Sequence, residues 1–202
     1  MKEGNGTMEM TDLMLDLETV GTGANAAVLS IAAVFFCSDT GETGREFHMP
    51  VQLQSCLMAG LEADADTLLW WIEQEGAAKS LILEGQKYAS PIALVLAEFA
   101  TFCWAQFGDS HVKVWGNGPS FDCAILANCY KKIPCIEPLP WKHFNERCVR
   151  TVVDLAGGQD FKTSIPFEGV KHDALDDCRH QIKLVSEGLK KIRGNGPADP
   201  NN

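Results

Sequence analysis

Three short apolar segments occupy the first quarter of the chain, each bounded by a polar stretch. They cover residues 10–17, residues 27–37 and the segment REFHMPV at residues 45–51. Apolar runs of this length with turn residues between them, such as SDTGETG, predict β-strands. Because the connections are short, we expect the three strands to form an antiparallel meander.

Helical spacing of apolar residues follows these strands. Residues 64–75 repeat apolar side chains at intervals of three and four, with acids near the N-terminal end, and predict a helix. For Trp70 and Trp71 in this helix, packing in the core is favoured over a platform for stacking. Residues 91–107 predict a second, largely apolar helix that is capped by Ser90 and opened by a proline.

The second half of the chain adds one strand and three helices. Residues 111–115 predict a short strand, after which a glycine-rich turn leads to a helix that begins at Pro119. Residues 145–156 predict another helix, and residues 172–192 predict a last one of roughly 28 Å at 1.5 Å per residue. Strands followed by helices around a further strand indicate an α/β fold with a mixed central sheet flanked by helices.

Length and composition indicate one domain. The chain has 202 residues, of which 46% are hydrophobic and 22% charged, enough to bury a core. We expect the domain to cover residues 10–192 between disordered tails at 1–9 and 193–202, which are polar and rich in Gly, Pro or Asn. No apolar run approaches the ~18 residues of a membrane span, and the N-terminus lacks a signal-peptide core, so we expect a cytoplasmic protein without a membrane partner.

The net charge and the cysteine content limit the kinds of binding site that the chain can form. The net charge of −10 argues against a protein that holds nucleic acid on a broad basic surface. It is compatible with a cluster of carboxylates that binds divalent cations and attracts phosphate locally. The eight cysteines include no C-x-x-C pair, so we expect reduced, buried thiols rather than zinc ligands.

Two acids, Asp16 and Glu18, lie where the first strand ends. Residues two apart on a strand point to the same face, so these carboxylates would repel each other unless a cation lies between them. Their oxygen atoms suit Mg²⁺ or Mn²⁺. From these two residues alone, a solvated pair at a strand end is an equally good interpretation.

Two further acids favour the metal site. Asp122 follows a strand and a glycine-rich turn, where sites are commonly built, although the helix dipole alone would also favour an acid there. Asp177 lies in the last helix, five residues after His172. An imidazole on the loop that enters this helix could reach over a metal held by the helical acid.

Together these motifs resemble the signature of the DEDD 3′–5′ exonuclease superfamily. The match consists of D-x-E at residues 16–18, NGPSFD at residues 117–122 and H-x4-D at residues 172–177. The last motif is similar to the histidine branch, DEDDh, since the tyrosine branch would carry a tyrosine where this chain has Asp173. The H-x4-D spacing also favours Asp177 over its neighbour Asp176, and Val20 departs mildly from the D-x-E-T-T-G of the family.

A closer similarity is to phage, prophage and bacterial stand-alone exonucleases of the exoribonuclease-like subgroup, including the exodeoxyribonuclease VIII type. The segments TLLWWIEQ, VWGNGPSFD, FNERCVRTVVDL and HDALDDC resemble that group. The resemblance implies a ribonuclease H-like fold and hydrolysis with two divalent cations, Mg²⁺ or Mn²⁺, that releases nucleoside 5′-monophosphates from a 3′ end. It assigns the general base to His172. The implied metal ligands are Asp16, Glu18, Asp122 and Asp177.

The resemblance also implies contacts to the substrate. Thr19 and Val20 would offer backbone N–H groups and an apolar contact to the terminal nucleotide, and Arg150 would meet a phosphate. The roles of two pairs of basic residues stay open. Arg147 and Arg150 could instead pair with acids on a helix face. For Lys131 and Lys132, a solvated helix face is favoured over contact with the nucleic-acid strand. The full implied set of substrate contacts is Thr19, Val20, Asn117, Phe121 and Arg150.

The nature of the substrate stays open at this point. Single-stranded DNA or DNA 3′ ends are favoured by the phage-like resemblance, with 3′–5′ trimming of RNA as the alternative, since the sequence does not place the atoms that meet the sugar 2′ position. A catalytically silent binding module of the same fold is a second interpretation, although all four motif acids are present. A polymerase proofreading subunit is a third, without support from any polymerase segment, and the resemblance also suggests a homodimer.

Overall fold

The computed structural model describes residues 10–74, 76–107, 112–133 and 138–194. The expected N-terminal tail, His111, Cys135 and most of the expected C-terminal tail lie outside these residues. The strands are β1 (Asp12–Thr19), β2 (Val28–Phe36), β3 (Thr43–Pro50), β4 (Lys113–Gly116) and β5 (Glu146–Cys148). The helices are α1 (Leu53–Met58), α2 (Ala65–Glu73), α3 (Ala77–Tyr88), α4 (Ile92–Phe107), α5 (Asp122–Lys132), α6 (Val149–Leu155), α7 (Gly158–Ser164) and α8 (Ala174–Gly194), with a 3₁₀ turn at His143–Asn145.

The five strands form one mixed sheet in the order β3-β2-β1-β4-β5. β1 and β2 pair antiparallel, as do β2 and β3, so the predicted meander is confirmed. β4 and β5 add parallel to the other side of β1. The predicted α/β class, with a mixed sheet between helices, is therefore confirmed.

Both faces of the sheet are covered, and β1 shows why. Leu13, Leu15 and Leu17 enter a core that includes α4 and α5, whereas Met14 enters a second core with α6 and α8. Because side chains alternate between the faces of a strand, Asp16 continues the row of Met14 toward α8. The first strand thus delivers its acids to the layer that contains the last helix.

The predicted helix over residues 145–156 is wrong in its first part. Glu146–Cys148 forms strand β5, in which Arg147 pairs with Trp115 of β4, and α6 begins only at Val149. The edge of the sheet offers unpaired backbone groups beside β4, and pairing there outweighs the local helical pattern.

The start of α5 also differs from the prediction. The N–H of Phe121 donates to Gly118 O at 2.8 Å, and the N–H of Ala124 donates to Pro119 O at 3.1 Å. Residues 119–121 therefore form a turn, and the α-helix begins at Asp122 rather than at Pro119.

Two other helix ends shift in a similar way. Pro91 O accepts hydrogen bonds from the N–H groups of Leu94 and Val95, while the backbone of Ser90 pairs with Val51. Pro91 is thus the cap of α4, not its first residue, because Ser90 is engaged by the neighbouring segment. The last helix runs over Ala174–Gly194 and so includes two residues of the expected C-terminal tail.

The structure can be compared with two further expectations, that the cysteines are buried thiols and that no segment spans a membrane. The seven cysteines within the described ranges are free, and all but the partly buried Cys148 are buried. Among the helices that the structure describes, none combines the length and apolar character needed to cross a membrane.

Candidate active site

The candidate site lies where β1 ends, and three separate parts of the chain supply it. β1 carries Asp16 and Glu18 near its C-terminal end. The parallel strand β4 ends at the same edge of the sheet and leads through a turn to Asp122, the first residue of α5. Asp177 lies in the first turn of α8, which packs across β1 and β2.

Three of these side chains form a tight group. Glu18, His172 and Asp177 each offer one ligand atom, and the three atoms lie within 4.8 Å of one another. The backbone N–H of His172 donates to Asp177 Oδ2 at 2.8 Å. His172 has φ of 64°, a left-handed conformation that a residue other than glycine keeps only when its surroundings hold it.

Asp16 and Asp122 lie outside this group of three but are close to it, since, after burial, repulsion by Glu18 helps to raise the pKa of Asp16 and repulsion by Asp122 helps to raise the pKa of Glu18. Asp122 Oδ1 accepts the N–H of Leu17, the residue between Asp16 and Glu18, at 3.3 Å. Asp16 Oδ1 accepts a hydrogen bond from Gln181 Nε2 of α8 at 2.7 Å. The structure thus gathers all four predicted acids and the predicted histidine around the end of β1.

Burial is the largest influence on the pKa values of all four acids, and repulsion by neighbouring acids comes second for Asp16 and Glu18. Burial, followed by the charges of neighbouring acids such as Asp177, raises the pKa of Glu18 to about 9. Burial raises the pKa of Asp122 to about 7, although backbone N–H groups that donate to its carboxylate lower it. The pKa values of Asp16 and Asp177 are raised as well, with burial as the largest cause. Such a cluster is unfavourable when ionised unless cations neutralise it.

The donor set fits divalent metal ions. Carboxylate oxygens are the ligands that Mg²⁺ and Mn²⁺ prefer, and four carboxylates converge here. Gln181 Oε1 is also buried beside Asp16 without a hydrogen-bond partner within the described part of the chain. The repelling charges and this unsatisfied oxygen are both consistent with a site built around bound cations.

The pKa of Glu18 predicts how the protein without metal responds to pH. Between the ordinary value of 4.5 and the folded value of about 9, the folded state holds a proton that the unfolded chain has released. The free energy of unfolding therefore falls as pH rises through this window. Glu18→Gln should raise the Tm at pH 8 by a few degrees, because the neutral amide avoids the cost of keeping this buried carboxyl protonated, at about 2–4 °C per kcal/mol of that cost. Melting curves in EDTA from pH 5 to 9 measure this effect.

Glu187→Gln is the matched control for that experiment, because Glu187 is an exposed acid on α8 whose carboxylate pairs with Lys190. It should leave the Tm and its pH dependence close to those of the wild type. A wild-type Tm that does not fall between pH 5 and 9, or an equal rise in both variants, would contradict the prediction.

A cavity of about 470 Å³ opens beside Glu18 and Thr19. Phe121 and Trp70 are part of its wall. Trp70 is 39% exposed, and its ring lies edge-on to the ring of His172 at 5.0 Å between centroids. A second cavity, of about 280 Å³, is also lined by Glu18, together with His172 and His48.

The two tryptophans of α2 have different environments. Trp71 is buried, and its Nε1 donates to Thr19 O at 2.8 Å, so the expectation of core packing is confirmed for Trp71. Both tryptophans line the cavity, but Trp70 is the more exposed one and its ring lies closer to His172, at 5.0 Å between centroids against 6.3 Å for Trp71. The sequence contained a signal for this division, because adjacent helical residues differ by about 100° and cannot both face one core.

Of the two strand-end residues expected beside the substrate, only Thr19 lines the cavity. Val20 is buried in the core, and its N–H donates to Ala27 O at 2.9 Å. The expected contact of Val20 with the terminal nucleotide therefore stays a prediction. In this structure its backbone N–H is engaged, and its side chain lies beside a separate apolar cavity of about 210 Å³. The bulge in the β1–β2 register after Glu18 turns Val20 inward.

The turn before α5 places two more residues of the implied set. The backbone N–H of Asn117 helps to lower the pKa of Asp122, and the side-chain Oδ1 of Asn117 accepts from Arg150 Nε at 3.3 Å. The exposed guanidinium of Arg150 also lies beside Gly118, whose φ of 105° suits glycine. Arg150 is thus a cation within reach of the acid cluster.

The other basic residues lie in different settings. Arg147 donates to the backbone oxygens of Phe144 and Glu146 rather than to an acidic side chain of the described residues. Lys132 donates to Gly60 O at 3.1 Å, and Lys131 is exposed, in line with the favoured surface role.

The three acids at the start of α8, Asp173, Asp176 and Asp177, have different partners. Asp176 Oδ2 accepts the N–H of Val170 at 2.9 Å, and its Oδ1 pairs with Arg179 at 2.9 Å. Asp173 caps the helix by accepting the N–H groups of Leu175 and Asp176. Among these three acids, Asp177 is the one that lies in the group with Glu18 and His172.

Comparisons with known proteins give one family match and one similar sequence. A protein-family model described as a 3′–5′ exoribonuclease Rv2179c-like domain matches residues 11–189. The exodeoxyribonuclease of enterobacteria phage T4 is 26% identical over 210 residues, which cover 92% of this chain and 92% of that protein.

Solved structures of nucleases have the same fold at lower identity. The nuclease domain of 3′hExo, described as a DEDDh family member bound to rAMP, aligns with a TM-score of 0.58 at 12% identity, over 91% of this chain and 94% of that one. Cell-death related nuclease 4 aligns with a TM-score of 0.60 at 13% identity, over 90% of this chain and 64% of that one. The zinc-bound complex of E. coli ExoI with single-stranded DNA aligns with a TM-score of 0.61 at 13% identity, over 95% of this chain, which spans 42% of that one.

Proposed function

We propose that this chain, which belongs to the Rv2179c-like 3′–5′ exoribonuclease domain family and is a DEDDh 3′–5′ exonuclease, acts on single-stranded DNA or DNA 3′ ends. The observation that supports nuclease chemistry in this proposal is the grouping of four acids and His172 at the end of β1. The DNA preference is supported by the relative named an exodeoxyribonuclease, which matches nearly the whole chain. RNA is the second candidate, because the description of the family names an exoribonuclease.

Two divalent cations, Mg²⁺ or Mn²⁺, are the cofactors that this site would take. Their ligands in the proposal are Asp16, Glu18, Asp122 and Asp177. When bound, such ions lower the pKa of an attacking water and stabilise the leaving 3′ oxygen. The raised pKa values of these acids support the proposal, since cations would supply the positive charge that the buried carboxylates lack.

His172 is the proposed general base. One of its ring nitrogens lies within 4.8 Å of a Glu18 oxygen and an Asp177 oxygen, so the imidazole is near any water held between those acids. Such a distance in the free protein is compatible with proton transfer once the substrate is bound. The backbone bond to Asp177 and the edge of the Trp70 ring hold His172 in place.

The cavity beside Glu18 is the proposed site of the terminal nucleotide. Its aromatic wall, Trp70 and Phe121, offers faces on which a base can stack, and stacking tolerates any base. Arg150 lies beside the turn that precedes Asp122 and would contact a phosphate of the strand. A local cation of this kind is needed because the chain as a whole carries a net charge of −10.

The test is a side-by-side digestion of DNA and RNA oligonucleotides of one sequence with a 5′ label. In Mg²⁺ or Mn²⁺ we expect ladders that shorten one nucleotide at a time from the 3′ end, with nucleoside 5′-monophosphates as products and faster loss of DNA. Faster loss of RNA would overturn the substrate preference. Internal cuts, or activity that persists in EDTA, would contradict the exonuclease mechanism. Folded protein that binds Mn²⁺ but cleaves neither strand would favour the binding module.

Trp70→Ala should weaken use of the substrate. Stacking of a base on an aromatic side chain contributes about 1–3 kcal/mol, so kcat/KM should fall roughly 5- to 150-fold. Trp70→Phe should retain most of the activity, because it keeps an aromatic face. Leu69→Ala is the control, since Leu69 is exposed on the same helix. Equal kcat/KM values for Trp70→Ala and Leu69→Ala would remove Trp70 from the site.

A further inference from the structure

Gln181 is a buried polar residue of α8 with an unusual set of partners. It is 4% exposed and lies one helical turn after Asp177, so both side chains leave the same face of the helix. Its Nε2 donates to Asp16 Oδ1 at 2.7 Å. Its Oε1 is buried and has no hydrogen-bond partner among the residues that the structure describes.

Packing alone does not explain a glutamine at this position. A buried carbonyl oxygen without a partner destabilises the folded protein, whereas methionine or leucine would fill a similar volume without leaving a polar atom unpaired. The feature that an apolar side chain could not replace is the hydrogen bond to Asp16. The neutral amide makes this bond without adding a positive charge, whereas a lysine or arginine would neutralise the carboxylate and compete with a cation for it.

We propose that Gln181 is a positioning residue that orients the Asp16 carboxylate for the divalent cations, an inference that rests on the proposed function. The amide engages Oδ1 and thereby leaves Oδ2 as the oxygen that faces a cation. Partners of ligating carboxylates act in this way in metal sites generally. In this proposal α8 contributes to the metal site in two ways. Asp177 is itself a ligand, and Gln181 orients the ligand Asp16 on β1.

Gln181→Met tests the inference, because methionine keeps the length of the side chain and removes the donor. Mn²⁺ binding is measured on the protein without nucleic acid, by the electron paramagnetic resonance signal of free Mn²⁺. We expect the Kd for Mn²⁺ to rise about tenfold or more, the usual effect of losing such a partner. Gln181→Asn, whose shorter amide falls short of Oδ1, should give the same result if the methionine variant does not fold.

Gln86→Met is the matched control. Gln86 is a partly buried glutamine of α3. Its Nε2 donates to Val51 O at 2.8 Å, and its Oε1 accepts the N–H of Leu53 at 3.1 Å. This variant should lower the Tm and leave the Kd for Mn²⁺ unchanged. In an Asp16→Asn background, Gln181→Met should cause no further loss of affinity, because the carboxylate that it orients is gone.

Three outcomes would overturn the inference. These are a Gln181→Met protein that binds Mn²⁺ as tightly as the wild type, an equal loss of affinity in Gln86→Met, and a loss that persists in the Asp16→Asn background. If the wild type binds Mn²⁺ and shortens 3′ ends, each of these leaves the proposed function standing. A wild-type protein that binds no Mn²⁺ overturns both.

Discussion

Asp177→Asn should lower kcat at least about a thousandfold, because loss of one cation ligand removes several kcal/mol of transition-state stabilisation at about 1.36 kcal/mol per tenfold. Asparagine has nearly the same shape and can still accept the N–H of His172, so the fold should be retained. Single-turnover shortening of a labelled oligonucleotide in saturating Mg²⁺ measures the effect. The same variant should bind Mn²⁺ more weakly than the wild type.

The neighbouring acid provides the control. Asp176→Asn changes the same functional group one residue earlier, but Asp176 contacts Val170 and Arg179 instead of the acid cluster. This variant should keep kcat within about threefold and lose about 1 kcal/mol of stability, through its weaker bonds to these partners. Similar loss of kcat in both variants, or a greater loss in Asp176→Asn, would show that the wrong acid has been assigned to the site.

His172→Asn should lower kcat by about 10²- to 10⁴-fold, the usual contribution of a general base. Asparagine is chosen because His172 has φ of 64°, a conformation that asparagine tolerates better than alanine. The loss should appear in the single-turnover rate. If His172 acts on the water rather than as a principal ligand, the Kd for Mn²⁺ should change much less than it does in Asp177→Asn.

His48→Asn serves as the comparison, since His48 is an exposed imidazole that lines the cavity shared with His172. It should retain wild-type activity within about twofold. A His172→Asn enzyme with more than a tenth of the wild-type rate would show that another group accepts the proton. His172→Ala should be less stable than His172→Asn, because alanine adds backbone strain at the same position.

The grouping of the acids at the end of β1 follows from simple rules of strand geometry. Alternation along a strand puts Asp16 and Glu18 on one face, and a parallel strand followed by a turn brings Asp122 to the same edge. The antiparallel meander and the α/β class also follow from short-range patterns. With the family established, the ribonuclease H-like fold predicted from the motifs is confirmed.

The features that escaped prediction depend on contacts distant in sequence. Glu146–Cys148 becomes a strand only because the edge of β4 is there to pair with, and Val20 turns inward because the register of β1 with β2 shifts after Glu18. Trp70 reaches the site because α2 lies against the loop that carries His172. Similarly, the orientation of the amide of Gln181 toward Asp16 becomes evident only when α8 packs on β1.

The two elements on either side of the cavity, β1 and α2, are packed into the fold to different extents, and they should therefore differ in their dynamics. β1 is paired on both edges and buried on both faces, whereas α2 buries a single residue, Trp71. The amide hydrogens of β1 should therefore exchange with solvent only when the whole domain unfolds, and those of α2 should exchange through frequent local opening. Under the proposed function, a nucleotide would enter and leave through fluctuations of α2, which carries Trp70, while the acids of β1 stay fixed. Repeated cycles of release would then leave the proposed metal ligands undisturbed.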